Sequence, residues 1–240
     1  MLDRTRPTPR LIQPKLLKPK APRKRSGVPR HFADMYPTPA FASLSLLDLE
    51  HFHGTIWDPC CGDGELIMAL MTRLSNSNRF LSSDLHDWGF GATIQDFLTI
   101  PTDKPLVENI ITNLPFGLID EMMPRALALT TQKFASFCRL GILCGGKRRA
   151  FFEDHPPNRI LLFTERVTTY ARNIQVQYFL EGKKESSSVS DCCWLVWDKS
   201  STDHMKITLI EPGRKHVYRD VTSRIRSHLI QRAVERYLAV

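Results

Sequence analysis

Four short clusters between Asp58 and Phe116 hold the residue types from which a site could be built. The run Asp58-Pro59-Cys60-Cys61-Gly62-Asp63-Gly64 is a glycine turn, yet it lacks the Lys and Ser/Thr of a phosphate loop and the GxGxxG spacing of a dinucleotide fold. With no lysine to neutralise phosphates, such a turn suits a nucleotide with a short zwitterionic tail. Asp84, 26 residues after Asp58, stands where an acid accepts from both ribose hydroxyls. Asp96 can accept from an adenine amino group, and Phe97 adds its backbone amide and ring. Asn113-Leu114-Pro115-Phe116 joins an amide acceptor, a backbone carbonyl on a proline-restricted residue and an aromatic ring, a set that fits a flat, amine-bearing acceptor stacked on Phe116. Taken singly, each Asp serves as readily as a helix cap or turn residue, and Phe116 as core.

These clusters need a frame that brings them to one edge. From residue 54 the chain alternates short apolar runs with amphipathic stretches, the pattern of strand-helix units on a mostly parallel sheet. Thr55-Ile56-Trp57 reads as a buried strand ending at Asp58-Pro59, with a helix from Glu65 to about Leu74 after the turn. Phe80-Leu81 runs to Asp84, Thr93-Ile94 leads to Asp96-Phe97, and Asn109 to Thr112 ends at Asn113, so successive strands deliver polar residues at their carboxyl ends. In an open α/β sheet that edge forms the ligand crevice. Further on, 118–129 reads as a helix, and 135–143, 159–163, 193–197 and 206–210 as strands; 164–191, with its polar run Glu181-Gly182-Lys183-Lys184-Glu185-Ser186-Ser187-Ser188, reads as a surface loop. No repeat is visible.

The 240 residues are 42% apolar and 24% charged, with 12 Gly and 16 Pro, which excludes a collagen, a coiled coil or a wholly disordered chain. No apolar run approaches the roughly 18 residues of a membrane helix, so the expectation is a soluble protein with no membrane partner. The six cysteines show no CxxC spacing and predict no metal site; without an apolar leader they are expected to stay reduced in the cytoplasm, a bacterial host's if the chain is phage-encoded. The net charge is +8, but residues 1–30 carry ten basic residues and one acid, a charge of +9, so the other 210 sum to −1. Six prolines in that stretch (Pro7, Pro9, Pro14, Pro19, Pro22, Pro29) forbid a continuous helix and predict a disordered tail. Such a polycation binds phosphate backbones without reading sequence, and Arg23, Lys24, Arg25 and Arg30 are its candidate contacts; a solubilising or targeting extension is the alternative. Near the C-terminus, Val221, Ile225, Leu229, Ala233 and Tyr237 recur every four residues among arginines, predicting a helix with one face on the core.

With these residues in place, the sequence resembles the class I S-adenosylmethionine-dependent methyltransferases that modify exocyclic amino groups, in particular the adenine-specific DNA methyltransferases of bacteria and phages. The resemblance runs from about Phe32 to Trp197. It rests on Tyr36-Pro37-Thr38-Pro39, the Asp58 to Gly64 turn, Asp84, Asp96-Phe97 and Asn113-Leu114-Pro115-Phe116, with further similarity at Gly145-Gly146-Lys147-Arg148-Arg149, His155-Pro156-Pro157 and Trp194 to Asp198. It implies a Rossmann-like methyltransferase fold with helices on both faces of the sheet, in one domain over 31–240 with no separate target-recognition domain, and S-adenosylmethionine as cofactor. It implies that Tyr36, Thr38 and Pro39 lie near the methionine carboxylate, that Asp58, Pro59, Cys60, Gly62 and Gly64 form the methionine pocket, that Asp84 and Leu85 hold the ribose and flank the adenine, and that Asp96 and Phe97 bind its edge. Asn113 and the Leu114 carbonyl, with Pro115 behind, would accept from the target amine and Phe116 would stack on the base, while Lys147, Arg148 and Arg149 would meet nucleic acid.

The implied reaction is methylation of adenine's amino group in DNA, with little or short sequence specificity. One departure bears on the acceptor: the family most often has a second proline where this chain has Leu114. A leucine there resembles the ribosomal RNA adenine dimethyltransferases, which makes RNA the alternative partner, and protein glutamine, also a planar amide, is a further one.

Overall fold

The computed structural model describes residues 35–183, 189–203 and 205–238. The basic stretch 1–30, with Arg23, Lys24, Arg25 and Arg30, lies outside them, as does most of the polar run, at 184–188. In chain order the elements are α1 (Ala40–Leu47), β1 (Thr55–Asp58), α2 (Glu65–Met71), β2 (Arg79–Asp84), β3 (Thr93–Ile94), β4 (Val107–Thr112), α3 (Ile119–Leu129), β5 (Thr130–Arg139), α4 (Arg149–Asp154), β6 (Arg159–Phe163), β7 (Val167–Thr168), α5 (Arg172–Leu180), β8 (Val189–Ser190), β9 (Cys192–Asp198), β10 (Lys206–Ile210), α6 (Arg214–Val217) and α7 (Arg219–Leu238).

Eight strands form one sheet in the order β10-β6-β9-β5-β4-β1-β2-β3, parallel except for β9, which runs antiparallel to β5 and β6. From β1 the chain winds outward to β2 and β3, then returns to β4 on the other side of β1. That reversal opens a crevice at the carboxyl ends of β1 and β4. The strand order, with one antiparallel strand slotted between β5 and β6, is that of the Rossmann-like methyltransferase fold.

Alternation along the central strands gives the sheet two apolar faces. Ile56, Ile111, Ala135, Trp194 and Val196 pack with Phe41 and Leu46 of α1 and Leu66 and Leu70 of α2. Their neighbours Trp57, Ile110, Phe134, Leu195 and Trp197 pack on the opposite face with Met122, Met123 and Ala126 of α3. Helices therefore cover both faces, as expected. All eight residues of α1 are buried, because α2 and α7 enclose it through Ala69, Ile225 and Leu229.

Two sequence expectations are corrected here. The strand read at 135–143 starts at Thr130, directly after α3, and stops at Arg139, with a 3₁₀ turn over Leu140–Leu143. Its first residues are polar, which hid them from an apolar reading. The segment 164–191 is not a structureless surface loop: β7 and β8 pair within it, and α5 packs on α7 through Val176 against Ile230 and Val234. An apolar period was missing because two inward positions of α5 one turn apart are Arg172 and Gln175, both buried.

Candidate functional site

The crevice at the β1/β4 reversal is lined by Tyr36, Thr38, Asp58, Cys60, Gly62 and Asn113, six residues singled out in the sequence, together with Met35, Pro37, Cys61, Glu65 and Leu66. Its floor is the turn after β1. Gly62 and Gly64 both have positive φ, 54° and 87°, which a side chain strains to adopt. A Cβ on Gly62 would come 2.8 Å from the Met35 sulfur, and one on Gly64 would strike the Phe90 ring. The turn is held open from beneath by charge: Arg172 of α5 donates from Nε to Asp63 at 2.5 Å and from Nη2 to Glu65 at 2.6 Å, and Glu65 also accepts from the Ala40 amide at 3.1 Å. Two acids in a buried turn require a cation. That requirement was the only sign of Arg172 in the sequence, and nothing said which of the arginines would meet it.

Asp58 is buried at the end of β1. Burial pushes its carboxyl up to about 7; the Thr112 hydroxyl and the Cys60 amide, the latter donating to Oδ1 at 3.1 Å, pull the other way, and the charge of Asp84 adds to the rise. The same burial, beside Asp58 and Asp84, raises the thiols of Cys60 and Cys61 well above their ordinary range, so neither is a thiolate nucleophile at neutral pH. Thr38 lines the crevice at 3% exposure, and its buried hydroxyl has no hydrogen-bond partner among the described residues. Pro39, beside it, caps the start of α1, and Pro59 is buried behind the turn.

Asp84 is already engaged: Oδ2 accepts from the Gly62 amide at 2.9 Å, and Oδ1 from the His86 amide and the Trp88 indole, both at 3.0 Å. It therefore ties the glycine turn to the loop after β2, an assignment its spacing did not reveal, while Leu85 beside it is exposed. Asp96 accepts from the Leu98 amide and so also caps the following 3₁₀ turn. Phe97 departs from the sequence reading: its ring is buried, 5.6 Å from Trp57 in edge contact, and belongs to the core, which leaves only its backbone amide for a ligand.

On the other wall, Asn113 donates from Nδ2 to the Tyr36 carbonyl at 3.0 Å. A carbonyl can only be met by the NH₂ end, so the amide oxygen, which accepts from none of the described residues, faces away from Tyr36 as an acceptor. Leu114 buries its side chain, while Pro115 and Phe116 are exposed and the Phe116 ring carries the Arg139 guanidinium 5.2 Å from its centroid. Arg148 is paired with Asp120 and Arg149 with Glu153, and Lys147 is exposed.

The edge is divided by charge. Among the described residues, Asp58, Asp84 and Asp96 on the β1–β3 side have no cation at ion-pair distance, and Arg139 and Lys147 beyond β4 have no carboxylate. A net cationic ligand fits the first half and an anionic one the second. Among the described residues there is no cluster of His, Cys, Asp and Glu that would hold a metal, and no helix long and apolar enough to cross a membrane.

No protein-family model matches the chain, and no curated protein matches it. Among solved structures it is similar to a type I restriction-modification methyltransferase subunit from Streptococcus thermophilus, at 12% identity and a TM-score of 0.48 over 78% of this chain and 52% of that one. It is likewise similar to a predicted O-methyltransferase from Agrobacterium tumefaciens, at 14% identity and a TM-score of 0.49 over 79% of this chain and 97% of that one. The chain thus spans about half the length of the Streptococcus subunit.

Proposed function

We propose that the protein is an S-adenosylmethionine-dependent methyltransferase acting on the exocyclic amine of adenine in DNA. The observation that carries this reading is the meeting, at one sheet reversal, of a glycine turn backed by a buried acid with an asparagine whose amide is turned by the Tyr36 carbonyl and whose oxygen has no partner among the described residues. The residues suit the cofactor by their chemistry. The Thr38 hydroxyl, without a partner among the described residues, offers a donor to a carboxylate, Asp58 an acceptor to an ammonium, and Gly62 and Gly64 a cradle that any Cβ would fill. The acidic half of the edge matches a ligand whose ammonium and sulfonium outweigh its one carboxylate. Bound there, S-adenosylmethionine supplies a methyl group on a positively charged sulfur.

The chain's own part is then orientation. Tyr36 fixes the Asn113 amide so that its oxygen, with the Leu114 carbonyl, accepts from an incoming amino group and aims the nitrogen lone pair toward the turn. Phe116, exposed next to them, gives a planar base a surface to stack on. Neither Cys60 nor Cys61 is ionised, which favours direct transfer without a covalent enzyme intermediate, its rate set by alignment and exclusion of water. A base inside a duplex must first leave the stack, at a cost of a few kcal/mol. The charge of +9 over residues 1–30 supports a polynucleotide over glutamine as acceptor. Leu114 supports RNA as the second reading. Labelled methyl cofactor offered to DNA, RNA and protein pools decides among them: label in N6-methyladenine of DNA is expected, and label only in RNA or only in protein replaces the reading.

A further inference from the structure

The proposed function leaves Arg139 without a task. It closes β5, next to the strand whose end carries Asn113 and Phe116, and it is exposed. Other arginines of this region are neutralised: Arg148 by Asp120, Arg149 by Glu153, Arg166 by Asp191 at 3.3 Å. Arg139 meets no carboxylate among the described residues; its one contact of note is the Phe116 ring. Among the described residues none of the five N–H donors of that guanidinium meets an acceptor. The donors therefore remain free for an anion, in the fork geometry that phosphate oxygens match. The same contact lies over one face of Phe116, whose side chain is otherwise exposed.

We propose that Arg139 is a phosphate-binding residue of the acceptor site, seated on one face of Phe116 while the target base stacks on the other. Resting on the reading of the site as an adenine methyltransferase, this narrows the acceptor to a nucleotide held through its backbone phosphate. A free base or a glutamine side chain offers nothing to Arg139.

The test uses the full chain, a mixed-sequence DNA duplex and the variants Arg139→Ala and Arg139→Lys. Affinity is measured over a range of salt concentrations, cofactor affinity serves as the control for folding, and steady-state methylation is followed in parallel. Arg139→Ala is expected to lower DNA affinity and to make the slope of log affinity against log salt shallower by about 0.9, the share of one phosphate contact. It should raise the KM for DNA more than it lowers kcat, with cofactor affinity unchanged. Lysine keeps the charge and should restore the slope. An alanine variant with the wild-type slope and affinity overturns the assignment, as does one that loses kcat alone, which would make Arg139 only a support for Phe116. Should alanine also lose cofactor affinity, the lysine variant decides, since an altered slope with cofactor binding intact counts equally against the proposal. Failure of the parent reading is seen separately, in wild-type protein that neither binds nor methylates DNA.

Discussion

Asp58 should make cofactor affinity depend on pH in a way that few buried carboxylates would. In the free protein its carboxyl sits at about 7, held there chiefly by burial. An ammonium placed beside it favours the ionised form, so binding draws a proton off Asp58 whenever the pH lies below that value. About one Asp58 in ten is ionised at pH 6 and about nine in ten at pH 8, so the association constant should rise roughly tenfold across that interval and fall about another tenfold at pH 5. Calorimetry with S-adenosylhomocysteine between pH 5 and 8 reads this acid limb, and below pH 7 the heat should vary with the ionisation enthalpy of the buffer. Asp58→Asn should bind more weakly and lose the acid limb. Stability gives a reading independent of ligand. Because the folded carboxyl holds its proton more tightly than the unfolded one, Asp58 costs nothing below about pH 4 and progressively more as pH rises toward 7. The asparagine variant should therefore gain melting temperature over wild type between pH 5 and 8. A flat acid limb in wild type, or an acid limb that survives in Asp58→Asn, would refute the assignment of Asp58 to the ammonium.

Three other outcomes are expected. Arg172→Ala strands Asp63 and Glu65 as buried unpaired carboxylates and should destabilise the fold by about 3–5 kcal/mol in urea unfolding, with Arg172→Lys intermediate; a loss below 1 kcal/mol would mean water already reaches the pair. Asn113→Ala and Phe116→Ala should abolish methyl transfer, read by incorporation of labelled methyl, while leaving cofactor affinity within a few-fold, because both belong to the acceptor wall. A chain beginning near Gly27 should bind DNA more weakly and with a shallower salt slope yet methylate the same positions at saturating DNA; unchanged affinity and slope would make residues 1–26 a targeting or solubility device.

The turn and its partners were legible because they obey local rules. A short apolar strand, a glycine-rich turn and a helix start occupy consecutive residues from Thr55, and the polar strand ends Asp84, Asp96 and Asn113 announce themselves by interrupting apolar runs. What stayed hidden is non-local or inverted in polarity. Arg172 meets Asp63 across 109 residues, and it does so from a helix whose inward side is partly polar. Phe97 looked like a ligand residue because it follows Asp96; only the edge contact with Trp57 shows it to be core. Asp84 was read as a ribose acid, and no spacing rule could say that Gly62, His86 and Trp88 already lean on it. Arg139 was invisible for the same reason, since its meaning comes from a ring on the neighbouring strand.

The segment after residue 34 has a further consequence. Met35 lies over Gly62, its carbonyl accepts from the Arg172 amide at 3.0 Å, and the next carbonyl, that of Tyr36, holds Asn113. Two residues thus touch both walls of the crevice, so on the proposed reading the cofactor and acceptor halves should not respond independently. A ligand that shifts Met35 off the glycine should then also alter the orientation of the asparagine amide. By reciprocity, whatever factor the first ligand applies to the affinity of the second, the second applies to the first. Order of addition is then a matter of rates alone, and the size of that shared factor measures how stiffly the two backbone atoms between those carbonyls, N and Cα of Tyr36, transmit a load.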